Sequence, residues 1–245
     1  MTRPDGRAPD ALRPVRITPH WQSGPAGSVL IETGQTRVAC AVSVDLKVPP
    51  WLAGKGRGWL TAEYGMLPGS SPQRIARPIN KPDGRATEIQ RLIGRSLRAM
   101  VDLDRLGELL LQVDCDVIEA DGGTRTAAIT GAAVAVVLAL HRLRVAGTLP
   151  GPALPLRGLV AAVSVGLVEG EARLDLPYLE DSRAEVDCNL VLTSAGEWIE
   201  VQATAEHGAF SRAMLDEFLR LGELGLAGLF AAQRAMLAAE GITGL

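Results

Sequence analysis

Between Thr36 and Leu46 every second residue is apolar: Val38, Cys40, Val42, Val44 and Leu46. A period of two places them on one face of a β-strand. Ser28 to Thr33 reads as its partner, with Gly34-Gln35 as the hairpin turn. Residues 47–57 are rich in proline and glycine and read as a loop, followed by a short strand over residues 58–63. From Thr87 to Val101 the period becomes helical: Ile89, Leu92, Ile93, Leu97, Met100 and Val101 form one stripe. Thr87 and Gln90 fit a capping box that would start this helix. Strand alternation returns from Glu108 to Ile118. There Leu109, Leu111, Val113, Cys115 and Val117 share one face, and Gln112, Asp114 and Asp116 the other. An Ala/Val-rich helix then runs from about Thr126 to Leu143.

The pattern repeats after a Pro/Gly-rich connector at residues 147–158. Strands are expected at 158–168, 171–176, 186–192 and 197–203, and two helices at about 211–222 and 226–239. Residues 3–16 look irregular. Residues 65–85, punctuated by Pro68, Gly69, Pro72, Pro78, Pro82 and Gly84, form a long segment of the kind that is usually functional. Strands followed by helices, twice over, give an α+β fold of two similar halves in which helices pack on mixed sheets.

Composition narrows the class. With 47% hydrophobic and 22% charged residues in 245, the chain can bury a full core. Aromatics are only 4%, so Val, Leu, Ile and Ala must fill it. Cys40, Cys115 and Cys188 lie in apolar alternating segments and read as buried thiols in a reducing compartment, not as a disulfide framework or zinc site. The most apolar helical run, Ala127 to Leu140, is shorter than the roughly 20 residues of a membrane span, and no signal-peptide pattern opens the chain. A cytoplasmic protein without membrane association is expected.

The net charge of -3 hides a strong asymmetry. Lys55 to Arg98 holds nine basic and three acidic residues, whereas Glu169 to Glu206 holds ten acidic and two basic. Either these are two solvated faces of opposite bias, or a cationic and a carboxylate surface serve one charged substrate. Four features carry chemistry. Asp121-Gly122-Gly123-Thr124-Arg125 lies between a strand and a helix. It is either a plain turn or an anion pocket of backbone N–H groups, the Thr124 hydroxyl and the Arg125 fork. Arg85 follows Gly84 just before another helix and would add a second guanidinium. Asp181 and Asp187, in EDSRAEVD at 180–187, suit Mg²⁺ or Mn²⁺ if a turn folds them together, and otherwise form an acidic surface turn. Asp114 and Asp116 are a rival pair. Finally, Arg74, Arg77 and Lys81 in the long loop, and Arg91, Arg95 and Arg98 on one helix face, suit an RNA backbone, acidic neighbours or another subunit. His20, His141 and His207 have no ligand spacing, and no GxxxxGK[ST] or GxSxG motif occurs.

Together these segments resemble the ribonuclease PH family of bacterial phosphorolytic exoribonucleases. The likeness spans about Arg3 to Ala239. It rests on RPDGRAPDALRPV near the start, GWLTAEYGMLPGS at 58–70, EIQRLIGRSLRA at 88–99, DCDVIEADGGTRTAAITG at 114–131, GLVAAVSVGLV at 158–168, EDSRAEVD at 180–187 and EVQATAE at 200–206. The resemblance implies one ribonuclease PH domain over 1–245. It implies a phosphate site of Arg85, Gly123, Thr124 and Arg125, catalytic and metal-binding carboxylates at Asp181 and Asp187, and RNA-contacting arginines at Arg74 and Arg77. It further implies Mg²⁺ (or Mn²⁺) as cofactor, inorganic phosphate as co-substrate, tRNA 3′ ends as substrate and a homohexamer built as a trimer of dimers. The alternatives are a non-catalytic RNA-binding ring subunit and a nuclease that uses water. Three positions depart from the family pattern. Gly69 stands where an arginine is usual, Ala86 where a threonine is common, and Ala203 where a glycine is usual.

Overall fold

A computed structural model describes residues 3–77, 84–149, 151, 153–206 and 208–245. Pro78, Lys81, Pro82 and His207 lie outside the described residues. The first sheet is made of β1 (Val15–Pro19), β2 (Gly27–Thr33), β3 (Thr36–Asp45), β4 (Trp59–Met66) and β5 (Leu110–Glu119), in the order β1-β2-β3-β5-β4. Its pairs are antiparallel except β4 with β5. Parallel strands need a crossover, and α1 (Gly84–Met100) with the short α2 (Leu103–Leu106) supplies it. The second sheet, β7-β6-β8-β9, is wholly antiparallel and comprises β6 (Val160–Val168), β7 (Glu171–Leu174), β8 (Val186–Thr193) and β9 (Trp198–Ala205). The four-residue α4 (Tyr178–Asp181) joins β7 to β8, and α5 (Arg212–Ala239) closes the chain. The α+β reading with a mixed sheet therefore holds, although only the first sheet is mixed.

Between the sheets runs α3 (Thr124–Val145), which packs on β2, β3 and β5 on one side and on β6 and α5 on the other. A helix covered all round has no polar stripe, and residues 126–140 of α3 are all buried. Among the described residues, α3 is the one helix long and apolar enough to cross a membrane, and most of it lies inside the protein. Its one awkward group is satisfied: the Thr130 hydroxyl donates to the Ala162 carbonyl of β6 (3.3 Å) and accepts the Ala162 N–H (3.0 Å). Gln233 of α5 donates to the carbonyls of Thr130 and Val160, both at 2.9 Å, and so ties three elements together. Cys40 and Cys115 face each other across β3 and β5 as free buried thiols, and Cys188 is also buried and free.

Four expectations are corrected. Residues 15–19 form β1, which pairs with β2; Pro14 just before it and Pro19 at its end hid it, yet an edge strand tolerates proline. Helix α1 begins at Gly84, so Thr87 lies in its first turn and not at its cap. The short helices α2 and α4 carry too few residues to show a period. The two expected C-terminal helices are one, of 28 residues. Gly222 and Gly225 read as breaks, but they are points of close approach. A Cβ on Gly222 would collide with Leu190, and one on Gly225 would sit 2.8 Å from Leu174 Cδ1.

The same device sets the distance between α3 and the first sheet. A Cβ on Gly131 of α3 would lie 2.6 Å from Ile31 Cγ2, and one on Gly27 of β2 would strike the backbone of Ala135 and lie 2.6 Å from the Ala139 nitrogen. Backbone cannot swing aside as a side chain can. Gly27→Ala should therefore lower the unfolding free energy by about 2–3 kcal/mol, the cost of overpacking a filled core. Urea denaturation at constant m value checks this.

Candidate functional site

The topology brings several chain ends to one edge of the first sheet. Strands β4 and β5 run parallel, so both end there, and the helices that follow them, α1 and α3, both begin there. In α/β crossovers this edge is where ligands meet helix N-termini. The segment after β4 is tied to the segment after β5: Leu67 N–H donates to the Val117 carbonyl (3.0 Å), and Ala120 N–H to that of Ser70 (2.7 Å). Arg74 and Arg77 are exposed in the segment that follows Ser70.

Gly122 and Gly123 both adopt left-handed backbone, with φ of 73° and 65°. A side chain on Gly122 would strike Leu176 and Pro177, and one on Gly123 would meet the Arg13 guanidinium at 2.9 Å. Gly123 caps α3 without any side-chain hydrogen bond, so no cap side chain occupies the helix's positive end. The Thr124 hydroxyl bonds the buried Tyr64 hydroxyl at 2.8 Å. Burial pushes the Tyr64 phenol above its ordinary range, although Arg85 and Arg125 act on it in the opposite sense. Arg125 spans the two halves, with Nη1 3.2 Å from Glu88 Oε1 of α1 and 3.2 Å from Gln202 Oε1 of β9.

The carboxylates come from the second half. Asp181 ends α4, and Asp187 lies near the start of β8, opposite Thr204 of β9. In an antiparallel pair, directly opposed side chains share a face. Asp187 therefore stands with Thr204, and with Asn189 and Gln202 one pair along. Asn189 Nδ2 donates to Asp187 Oδ2 at 3.2 Å. Burial raises the Asp181 carboxyl, and the charges of Arg85, Arg125 and Arg13 oppose that rise. Burial and then the Asp181 charge push Asp187 up to about 6, against the pull of Arg125. Arg85, Arg125 and Arg13 of the first half thus act on Asp181 of the second, and Arg125 acts on Asp187 as well.

Asp114 and Asp116 are elsewhere. Their neighbours in β5 point at α3, as the Cys115 thiol over the Ala128 carbonyl shows, so the two aspartates face away from that helix. They pair in register with Glu63 and Gly65 of β4, and burial raises both carboxyls. Arg95 is paired with Glu200 (2.7 Å), and Arg98 donates to the Leu60 carbonyl (3.1 Å) and lies over the Trp59 ring. Among the described residues no group of three or more His, Cys, Asp or Glu could hold a metal ion. A separate cavity of about 340 Å³, lined by His20, His141 and Glu240, lies near the other end of α3.

Sequence reading missed the groups that hold the site. Arg13 is buried and donates to both oxygens of buried Asp175, from Nε at 3.1 Å and from Nη2 at 2.6 Å. It also donates to the carbonyls of Asp121 (2.5 Å) and Gly122 (3.4 Å). Thr36 Oγ1 donates to the Gly122 carbonyl (2.7 Å) and accepts the Asp121 N–H (2.9 Å). Arg3 grips Glu180, the neighbour of Asp181, at 3.1 and 2.7 Å, and Arg173 shares that carboxylate at 2.9 Å. Asp175 itself has φ of 53°, a strained value for a residue with a side chain, and this network holds it there. No spacing in residues 3–13 signals these contacts, because the Asp175, Asp121, Gly122 and Glu180 groups that Arg3 and Arg13 hold lie more than 100 residues away.

Comparison with known proteins bears on both halves. Residues 11–141 match the 3′ exoribonuclease family, domain 1, and residues 158–224 match domain 2 of that family. The chain is 52% identical over 239 residues to Ribonuclease PH of Syntrophomonas wolfei, covering 97% of this chain and 99% of the relative. It is 55% identical over 239 residues to Ribonuclease PH of Corynebacterium efficiens, covering 97% of each. Its fold is similar to that of rice (Oryza sativa) Rrp46, with a TM-score of 0.77 at 21% identity over 96% of this chain and 100% of that one. It is also similar to a chain of the Archaeoglobus fulgidus exosome with RNA bound to the active site, with a TM-score of 0.75 at 22% identity over 92% and 90%.

The raised Asp187 carboxyl has a thermodynamic consequence. Its pKa moves from 3.8 to about 6 on folding, so between these values the folded chain binds more protons than the unfolded one. Stability then falls as pH rises through that window and stays lower above it. About two pH units correspond to about 3 kcal/mol, reduced by the solvent that still reaches the carboxyl. In the absence of divalent cations, Asp187→Asn should stabilise the protein by up to about 2 kcal/mol at pH 8 and by almost nothing at pH 4. Denaturation curves at the two pH values measure the difference.

Proposed function

The chain belongs to the 3′ exoribonuclease family, and on that premise we propose that its reaction takes place between the Asp121–Arg125 turn and the Asp181/Asp187 pair. The chain is a phosphorolytic 3′→5′ exoribonuclease: inorganic phosphate attacks the terminal phosphodiester of RNA, the bond from phosphorus to the 3′ oxygen breaks, and a nucleoside diphosphate leaves. The observation that carries the assignment of residues is the convergence of Arg85 and Arg125 with Asp181 and Asp187 at the start of α3. Two anions must meet, so neutralising charge is the main task of the site.

Arg85, Arg125, Gly123 and Thr124 hold the attacking phosphate in this reading. Arg125 exchanges its contacts with Glu88 and Gln202 for phosphate oxygens; its planar fork suits an oxyanion better than a half-exposed carboxylate. The Tyr64 hydroxyl holds Thr124. Asp181 and Asp187 form the catalytic carboxylates. Their chemistry fits Mg²⁺, or Mn²⁺ in its place, which takes one or two carboxylates and leaves its other positions to water and phosphate oxygens. When bound, that ion supplies charge neutralisation at the scissile phosphodiester. Where Asp187 does not ligate the ion, its raised carboxyl is suited instead to passing a proton to the departing 3′ oxygen.

Arg74 and Arg77 grip the RNA chain from the loop beside the turn. The substrates are tRNA 3′ ends, the two halves act as a single domain, and the working form is a cytoplasmic homohexamer, a trimer of dimers, as the family resemblance implies.

One assay tests the reaction: RNA with a single-stranded 3′ tail, Mg²⁺, and phosphate present or absent. Nucleoside diphosphates should appear only with phosphate. Monophosphates would mean hydrolysis, and no product would mean a binding subunit. Arg125→Ala should lower the phosphate-dependent rate about 100- to 1,000-fold with the fold intact. Retained phosphorolysis in the folded variant contradicts the assignment.

Gly69 makes a second test. It is exposed, and a Cβ there would meet nothing within 4 Å. Gly69→Arg should leave stability unchanged within about 0.5 kcal/mol, as for a free surface site, and lower KM for RNA at low salt. An unchanged KM would separate this position from the RNA path.

A further inference from the structure

The N-terminal segment contributes the only direct side-chain bridge, among the described contacts of the phosphate turn, that joins a guanidinium of the first half to a buried carboxylate of the second. Arg13 makes it. Its Nε and Nη2 sit on Asp175, its own backbone N–H donates to Asp175 Oδ2 at 2.7 Å, and its remaining donors reach the carbonyls of Asp121 and Gly122. We propose that Arg13, seated on Asp175, is a positioning residue that sets the orientation of the Asp121–Arg125 turn and thereby the enzyme's affinity for inorganic phosphate. The proposal rests on the reading of that turn as the phosphate site.

A carbonyl and the N–H of the following residue point in opposite directions within one rigid plane. Holding the Asp121 and Gly122 carbonyls toward Arg13 therefore aims the N–H groups of Gly122 and Gly123 away from it. Glycine is the residue least able to hold such an orientation by itself, since both signs of φ are open to it. Gly122 and Gly123 are consecutive and both left-handed, so the restraint must come from outside the turn. Thr36 supplies part of it at the Gly122 carbonyl. Arg13 supplies the part that reaches both carbonyls, and it leaves no room for a side chain at Gly123.

Asp175 explains why the residue is arginine. A guanidinium can hold two carboxylate oxygens and two carbonyls at once because its five donors lie in one plane; an ammonium cannot. Asp175 is placed by the second half, through its N–H bond to the Ser164 carbonyl of β6 at 2.7 Å. The phosphate turn is in this way referenced to the half that carries Asp181, and Tyr178 N–H on Asp121 Oδ1 (3.1 Å) adds a second link.

Two variants test the proposal by steady-state kinetics with phosphate and RNA varied in turn. Arg13→Lys keeps the charge and loses the fork; Asp175→Asn keeps the shape and loosens the fork. Each should raise KM for phosphate at least tenfold while KM for RNA stays within about twofold, the split expected of a turn that touches only phosphate. Loss of bulk stability alone would lower the active fraction and leave both KM values in place. A folded variant with wild-type KM for phosphate, or with both KM values raised together, overturns the proposal. So does failure of both variants to fold, because that would assign the pair to the fold and not to the turn. If the wild-type enzyme shows no dependence on phosphate, the site assignment itself fails; a phosphate-dependent wild type with unaffected variants removes only the role of Arg13.

Discussion

The buried ion pair between Arg13 and Asp175 is where the two halves of this chain are held in register. Both groups are almost wholly out of water, and removing either would leave the other with only a longer ion pair, Asp175 with Arg7 at 3.7 Å or Arg13 with Asp121 at 3.9 Å. Such a pair is a poor source of net stability but a strong source of geometry, since it is favourable in few arrangements. Arg3 with Glu180 and Arg173 repeats the arrangement one layer along, next to the helix that ends in Asp181. Two arginines of the N-terminal segment and one from the second half therefore define where a glycine turn from one half and an aspartate pair from the other come to rest.

This bracing is set against a site whose own charges do not favour it. Asp181 and Asp187 are held partly out of water and close enough for one to raise the other. Arg125 is partly relieved by Glu88 and Gln202, each 3.2 Å away. Cations on one side and carboxylates on the other suit a reaction in which an anion attacks an anionic backbone, and they would be a liability anywhere else. The stability lost at the site is offset in the core, where α3 lies buried between two sheets and glycines let it approach β2 and β3 closely.

Much of this was legible in the chain. Period two identified β3 and β5, strand-like runs between turn residues gave β2, β4 and the four strands of the second sheet, and the all-apolar run identified α3 as a core helix. The turn at Asp121–Arg125 and the acidic stretch at 180–187 each had a plain structural alternative, and it was their order along the chain with the other motifs that singled them out. The misreadings share one cause. Gly222 and Gly225 looked like helix breaks because a glycine's meaning depends on what packs against it, here Leu190 and Leu174. The prolines hid β1 because an edge strand is recognised by its partner, not by its composition. Arg3 and Arg13 were not singled out because their carboxylates are more than 160 residues away.

By itself, then, the sequence determined the periodic elements, the buried thiols and the chemical character of the site, since all of these depend on residues close together along the chain. The tertiary structure alone decided which charges meet. It set Arg85 and Arg125 against Asp181 and Asp187, turned Asp114 and Asp116 away from α3, and joined the halves through Arg13 and Asp175. Electrostatic energy falls with distance in space and has no regard for distance along the chain, so only the folded arrangement could make those choices.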